Sequence, residues 1–432
     1  MILNFSVQNF GPIKEKQILS FEAEKTDKLE DTYVVKIGKH RVLKLALIFG
    51  ANASGKTTIL DALDFLQYIV LRPEVNKYAE LSFYPFLFDS QTPKETSEIT
   101  LEFFQNDIKY LYEVEFTQKA IISEVLYSFN PRKSVVYKRS TDLSNQFTQI
   151  SFGNKISVDS VFVKTLEANT LWNNTVLGGY QKTNINNKEL QEVVNWFSKY
   201  LKPMVHSRTE LEEFVTSKMK SSEISKSDII RILRKADLNI SDIVINEKEM
   251  EVNEDFIEFL KKQGLAPNDR IKEIEEKGSL KTENLEFTHT VDNVNYNLPI
   301  ELESEGTRRY YGFAGLLALL VTTPTAIPID ELESSLHPDL YEHFLLMFLL
   351  NSNKSQLIAT THNREILGNR DLFRDDVIWF TDKQENCTTE LYSLADFDSS
   401  VIRNTTNVLN AYKSGKLSGT PNFGDVFLDL GL

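Results

Sequence analysis

Residues 49–58, FGANASGKTT, concentrate the clearest chemistry of this 432-residue chain. Gly50 to Thr57 fit the spacing G-x-x-x-x-G-K-[ST], with an apolar run before them and helical periodicity after, the context this motif requires. Glycines let the backbone bend close to a phosphate. Successive N–H groups and the start of a helix then face the anion. Gly50, Asn52, Ala53, Ser54, Gly55, Lys56, Thr57 and Thr58 are therefore the candidate nucleotide-phosphate contacts. Lys56 would neutralise β/γ-phosphate charge, and the Thr57 hydroxyl would ligate Mg²⁺. A chance glycine–lysine turn is the alternative, and the flanking elements argue against it.

Three further clusters suit the same chemistry. Asp330-Glu331 end the apolar stretch TAIPIDELESSLHP. An acidic residue there can hold Mg²⁺ through water, and the adjacent glutamate can polarise an attacking water. Asp330 thus joins Thr57 as a candidate metal residue, and Glu331 is a candidate catalytic residue. Pro328 lies inside that run, where it removes a ladder donor, so a bulge or shift is expected. His362 ends LIATTHN; at the carboxyl edge of a parallel sheet it can hydrogen-bond a γ-phosphate or water. A structural histidine is the plainer reading of that segment alone, and the other motifs favour the catalytic one. ELESEGTRRYYGFAGLL sets Ser304 to Thr307 at a helix start, which serves equally as an anion seat or a simple cap.

The elements that must carry these residues follow from periodicity. LNFSVQNF, QILSFEA and VLKLALIF read as strands, and apolar residues from Ile59 to Val70 recur at helical spacing until Pro73. Residues 99–139 alternate as an antiparallel meander with turns at ND and NPRK. Amphipathic helices are expected in NKELQEVVNWFSKYL, SKSDIIRILRKA and NEDFIEFLKK. From 284 the chain returns to strand. Helix 307–321, strand 325–329, helix 339–350 and strand 355–361 then alternate in the α/β manner, and the tail 403–432 is loop-rich. The expected fold class is α/β: a P-loop NTPase with a mixed sheet, an antiparallel β subdomain and a helical insertion. The expected division is a lobe 1–150, the insertion 151–283 and a second lobe 284–432.

Composition narrows the partners. Formal net charge is −14, so nucleic acid would need a local basic patch. Three candidates exist: Lys133/Lys138/Arg139, Lys218/Lys220 and Arg231/Arg234/Lys235. A single cysteine, Cys387, allows no internal disulfide and suits a reducing cytosol. The N-terminus has no signal-peptide pattern and no apolar run is long enough to cross a bilayer, so a cytoplasmic protein without membrane contact is expected.

In order, NFSVQNFGPIKEKQILSF, GANASGKTT, ESEGTRRYYG, IDELESSLHPDL, QLIATTHN, DVIWFTDKQENCTTELYSLADF and GKLSGTPNF resemble segments of ABC-type AAA family ATPases. The branch is the SMC- and OLD-like one, close to ATPase subunits of bacterial anti-phage systems of the Septu and PARIS kind. The resemblance covers both ends and thins across 150–280. It implies ATP with Mg²⁺ as ligands. It makes Ser304 and Gly306 the signature that completes the nucleotide site of a second copy, Ser334 to His337 the D-loop, and His362 the switch histidine. SEGT stands where transporters have SGGQ, which fits this branch better. The Q-loop has two candidates, Gln67 and Gln91, and the loop YPFLFD as a replacement.

The resemblance also implies a head-to-tail homodimer or higher oligomer glued by ATP. The expected role is a regulatory ATPase of an anti-phage, abortive-infection system that answers a phage-derived trigger. With about 70 residues after His362 and no nuclease signature, the effector nuclease or toxin is expected on a separate chain. The alternative is an SMC-like ATPase that binds DNA in repair or maintenance; a transporter subunit fits least.

Overall fold

The computed structural model describes residues 1–263, 268–397 and 408–420. Two compact units divide the chain. The first holds Met1–Thr209, Leu320–Ser334 and the chain from Tyr341 onward; the second holds Glu210–Leu319 and Ser335–Leu340.

The strands among the described residues are β1 (Ile2–Gln8), β2 (Gln17–Ser20), β3 (Val34–Ile37), β4 (His40–Leu43), β5 (Leu45–Gly50), β6 (Ser97–Gln105), β7 (Ile108–Phe116), β8 (Ile121–Phe129), β9 (Lys133–Asp142), β10 (Phe147–Phe152), β11 (Asp242–Glu251), β12 (Ser279–Val291), β13 (Val294–Pro299), β14 (Ala326–Ile329), β15 (Gln356–Thr360), β16 (Ile378–Lys383) and β17 (Thr389–Ser393).

The first unit is built on two larger sheets. One is antiparallel, in the order β10-β9-β8-β7-β6-β1-β2. It contains the expected meander, extended by the N-terminal strands and by β10. The other has the order β14-β15-β5-β16-β17. Its β14, β15, β5 and β16 run parallel, and β17 closes it antiparallel. Every residue of β5, β14 and β15 is buried, as expected for strands covered on both faces. The 16-residue helix Lys56–Leu71 packs on β5, β14 and β15 and also touches β1. The α/β class with a mixed sheet and an antiparallel β layer is thus the observed one.

Pro328 does not disturb the register: β14 pairs with β15 residue for residue from Ala326–Gln356 to Ile329–Ala359. The expected bulge is absent because β14 is the outermost named strand. Beyond it the segment 201–205 makes only isolated parallel bridges, Leu201 to Ala326 and Val205 to Ile329. A proline is tolerated at such a position.

In the second unit, helices Glu212–Lys220, Lys226–Lys235, Glu254–Gln263 and Asn268–Lys277 accompany a three-stranded antiparallel sheet, β11-β12-β13. The middle of the chain is therefore not purely helical. Strand β11 was hidden because charged residues crowd its second half, INEKEME. The helix Glu305–Thr322 starts within the second unit. Helices Ser160–Asn169 and Lys188–Asn195 belong to the first.

The tail carries a short helix, Val408–Lys413. Its segment Pro421–Phe423, and residues 403–407, lie outside the described residues. No helix among the described residues is long and apolar enough to cross a membrane.

Candidate functional site

Four parallel strands deliver their last residues to one edge of the five-stranded sheet. β5 delivers Gly50, β14 leads into Asp330, β15 ends on Thr360 just before His362, and β16 carries Thr381. The carboxyl ends of parallel strands are where open α/β sheets place ligands.

The loop after β5 can only be made with glycines. Gly55 has φ of +96°, and a Cβ there would lie 2.3 Å from Thr389 Oγ1. At Gly50 a Cβ would meet Thr381 Oγ1 at 2.4 Å and Ser54 Oγ at 2.5 Å. Both threonines hold the loop. Ser54 Oγ is 2.6 Å from Thr381 Oγ1, and Thr389 Oγ1 donates to Ser54 O at 2.9 Å. Ser54 is thereby buried, 1% exposed. Behind the loop, Gly419 donates its N–H to Asp382 Oδ1 at 3.2 Å, and a Cβ on it would sit 3.7 Å from Gly50 Cα. The tail segment GKLSG thus backs onto the loop.

Lys56 is folded over this cradle. Its Nζ donates to Gly50 O at 2.9 Å and Ala51 O at 3.0 Å. Burial lowers its pKa, and the carboxylates Asp330, Glu331 and Glu333 oppose that shift. Thr57 Oγ1 donates to Asp330 Oδ1 at 3.1 Å. Thr360 Oγ1 donates to the same oxygen at 2.6 Å and accepts from the Glu331 N–H at 2.8 Å. One hydroxyl therefore aligns both acidic residues.

Glu331 has a φ of +50°, which turns the chain sharply after Asp330. Its Oε1 lies 3.9 Å from His362 Nε2. The His362 N–H donates to Glu333 Oε1. The imidazole pKa is lowered, first by burial and then by the Lys56 ammonium, so the neutral ring is favoured. Glu333 Oε2 is buried without a hydrogen-bond partner among the described residues. An orphaned carboxylate oxygen is costly and suits a site that takes a cation with its waters. Thr57 and Asp330 supply the oxygen donors a hard cation prefers. The residues present thus fit ATP phosphates with Mg²⁺.

The structure brings Gly50, Ser54, Gly55, Lys56, Thr57, Asp330, Glu331 and His362 into this group, with Asn52 and Ala53 at the exposed lip of the loop and Thr58 on the first helical turn. Ser304 and Gly306 lie in the second unit. There Ser304 Oγ accepts from the Thr307 N–H at 3.1 Å, as a cap does. Glu305 accepts from Ser335 Oγ at 2.8 Å, and a Cβ on Gly306 would meet Ser335 O at 3.2 Å.

Several candidates are corrected. Gln67 is no Q-loop: it is 6% exposed, and its Nε2 donates to the Phe197 and Leu201 carbonyls. Arg139 is 2% exposed and bonds to the Ile121 and Trp172 carbonyls, so it leaves the first basic patch. Lys218 is paired with Glu223 at 2.7 Å.

Thr360, Thr381 and Thr389 were missed. The first two carried a signal, a threonine ending or near the end of an apolar strand (LIAT, VIWFT). Thr389 carried none.

No curated protein sequence matches the chain. Among solved structures it is similar to an SMC head domain from Thermotoga maritima, at 13% identity over 91% of this chain and 98% of that one, with a TM-score of 0.41. It is also similar to an SMC head bound to the C-winged helix domain of ScpA, at 13% identity over 91% and 97% with a TM-score of 0.43. An SMC head with an extended coiled coil, bound to the C-terminal domain of ScpA and derived from Pyrococcus furiosus, matches at 11% identity over 91% and 96% with a TM-score of 0.41. A family model matches residues 45–368, a span that runs from the start of β5 past His362. On that match the chain belongs to the family described as "AAA domain, putative AbiEii toxin, Type IV TA system".

Proposed function

We propose that this chain binds and hydrolyses ATP, and that ATP joins two or more copies head to tail into a switch controlling a separate effector nuclease or toxin in abortive infection. One observation carries the chemistry: Lys56, Thr57, Asp330, Glu331 and His362, drawn from three segments, meet at one sheet edge around a glycine cradle. Gly50, Asn52, Ala53, Ser54, Gly55, Lys56, Thr57 and Thr58 hold the phosphates. Glu331 orients and deprotonates the attacking water, and neutral His362 accepts or donates a hydrogen bond beside it. Bound between Thr57 and Asp330, Mg²⁺ would supply neutralisation of phosphate charge. Ser304 and Gly306 complete the site of a neighbouring copy, and their proximity to Ser335 supports one shared docking surface. A family description that names a toxin–antitoxin system supports the defence role. The compact units divide the chain after Thr209 and after Leu319 rather than at the expected 150/151 and 283/284, and the protein works in the cytoplasm.

Purified protein is to be assayed for ATP binding and phosphate release. Lys56→Ala should weaken ATP binding about 10- to 150-fold, the loss of one charge-assisted contact. Glu331→Gln should bind ATP and release almost no phosphate. Equal turnover by parent and Glu331→Gln would overturn the catalytic assignment. A second reading, a DNA-binding ATPase, is favoured by the concave surface where exposed Arg231, Arg234 and Lys235 join Ser227 and Ser241. Titrating the same preparations with duplex DNA and with ATP decides between them: salt-dependent binding in the ATP state favours the second.

A further inference from the structure

The helix that begins at Lys56 does more than close the phosphate loop. Three of its side chains, spaced three residues apart, line up along the segment 201–206. Gln67 Nε2 donates to the Phe197 and Leu201 carbonyls. Asp64 Oδ1 accepts from the Met204 N–H at 2.8 Å. Asp61 follows one turn nearer the loop. Positions i, i+3 and i+6 share a helix face, so this face acts as a rail for the segment.

The other side of the segment is bound to β14. Lys202 N donates to Ala326 O at 2.9 Å, Val205 N donates to Pro328 O at 2.9 Å, and Asp330 N donates to Val205 O at 2.8 Å. The bridges are parallel. The segment is therefore one more parallel strand of the sheet in all but length, and its carboxyl end lies at the edge where Gly50, Asp330 and Thr360 converge. The residue delivered there is His206. Its backbone is held by a reciprocal turn: His206 N donates to Thr209 Oγ1, and Thr209 N to His206 O, both at 3.0 Å. The residue is exposed.

We propose that His206 is a further residue of the nucleotide site, which positions the water shell next to Asp330 and Thr57. Asp61 lies four residues, about 6 Å of helix, after Thr57. Its carboxyl feels both the His206 ring and the Asp330 carboxylate, which places the three groups within electrostatic reach of one another. An imidazole offers one donor and one acceptor, the pair needed to fix a water between an anionic phosphate and a carboxylate. The proposal rests on the ATP reading.

The test uses the full chain with His206→Ala and His206→Gln. A fluorescent ATP analogue is titrated with Mg²⁺ and with a chelator, and kcat, KM and the melting temperature are measured alongside. His206→Ala should keep the parent's melting temperature and its affinity without Mg²⁺. It should lose most of the gain in affinity that Mg²⁺ gives, and kcat should fall about 10- to 100-fold, the usual effect of removing a group that orients a metal's surroundings. His206→Gln, which keeps a donor and an acceptor, should recover part of both. The proposal is overturned if His206→Ala retains the parent's kcat and Mg²⁺ dependence. It is also overturned if affinity falls equally with and without Mg²⁺, which is the mark of a structural loss. If the parent itself binds no ATP, the ATP reading falls and this proposal with it.

Discussion

At the scale of single residues, the chemistry rests on carboxylates set in unlike surroundings. Asp330 accepts from two hydroxyls, those of Thr57 and Thr360. Asp61, one turn along the helix, is different. Burial pushes its carboxyl up to about 6, with Asp330 and Asp64 adding to the shift and His206 opposing it. The folded chain then holds a proton that the unfolded chain releases from about pH 4 upward, so this group costs stability as pH rises through 6. Asp61→Asn removes the charge without changing the volume. It should raise the melting temperature of the ligand-free protein at pH 8 and leave it near the parent's at pH 4. A shift of equal size at both pH values would refute the assignment. Lys56 shows the reverse logic: burial lowers its pKa, and the Gly50 and Ala51 carbonyls hold the ammonium in place before any phosphate arrives.

At the scale of elements, the phosphate loop is shaped by strands distant in sequence. Ser54 is tied through its hydroxyl to Thr381 on β16 and through its carbonyl to Thr389 on β17. The loop therefore belongs mechanically to the β16–β17 hairpin as much as to the helix that follows it. Thr389→Val keeps the shape of the side chain but leaves the Ser54 carbonyl buried without that donor. Such a group costs about 1–3 kcal/mol. Chemical denaturation of the ligand-free variant should show a loss of that order, and ATP affinity should fall with it. Unchanged stability would mean that water replaces the threonine. The glycine requirement is local in the same way. A residue with a Cβ at position 55 meets Thr389 within 2.3 Å, so the glycine and the threonine constrain each other.

At the scale of the whole molecule, the proposed assembly joins one copy's nucleotide to the Ser304 of a neighbour. ATP at about 100 times Kd contributes roughly 2.7 kcal/mol per site to the state that binds it, enough to shift a two-state assembly. If Ser304 serves a neighbour's Lys56, two dead variants should complement each other. Lys56→Ala and Ser304→Arg homodimers each lack both sites, whereas a mixed dimer keeps one intact site. An equimolar mixture should therefore recover about a quarter of the parent's sites in a twofold dimer, read as phosphate release. No recovery on mixing would overturn the composite site.

The phosphate loop, Asp330-Glu331 and His362 were legible in the sequence because each is a short motif at the end of an apolar run, and local backbone chemistry dictates those residue types. The α/β alternation after residue 300 was legible for the same reason, since periodicities of 2 and 3.6 are properties of adjacent residues. Strand β11 was not, because its pairing with β12 rather than its own composition makes it a strand. Gln67 looked like a site residue until its amide was found bonded to carbonyls 130 and 134 positions away. Thr389 and Arg139 were equally undecidable, since their hydrogen-bond partners depend on which distant segment lies beside them. What the amino-acid order determined by itself is a P-loop and the acidic strand end that answers it. Which side chains lock that loop, and which strand ends share its edge, came from the folded chain, because register and long-range hydrogen bonds have no local signature.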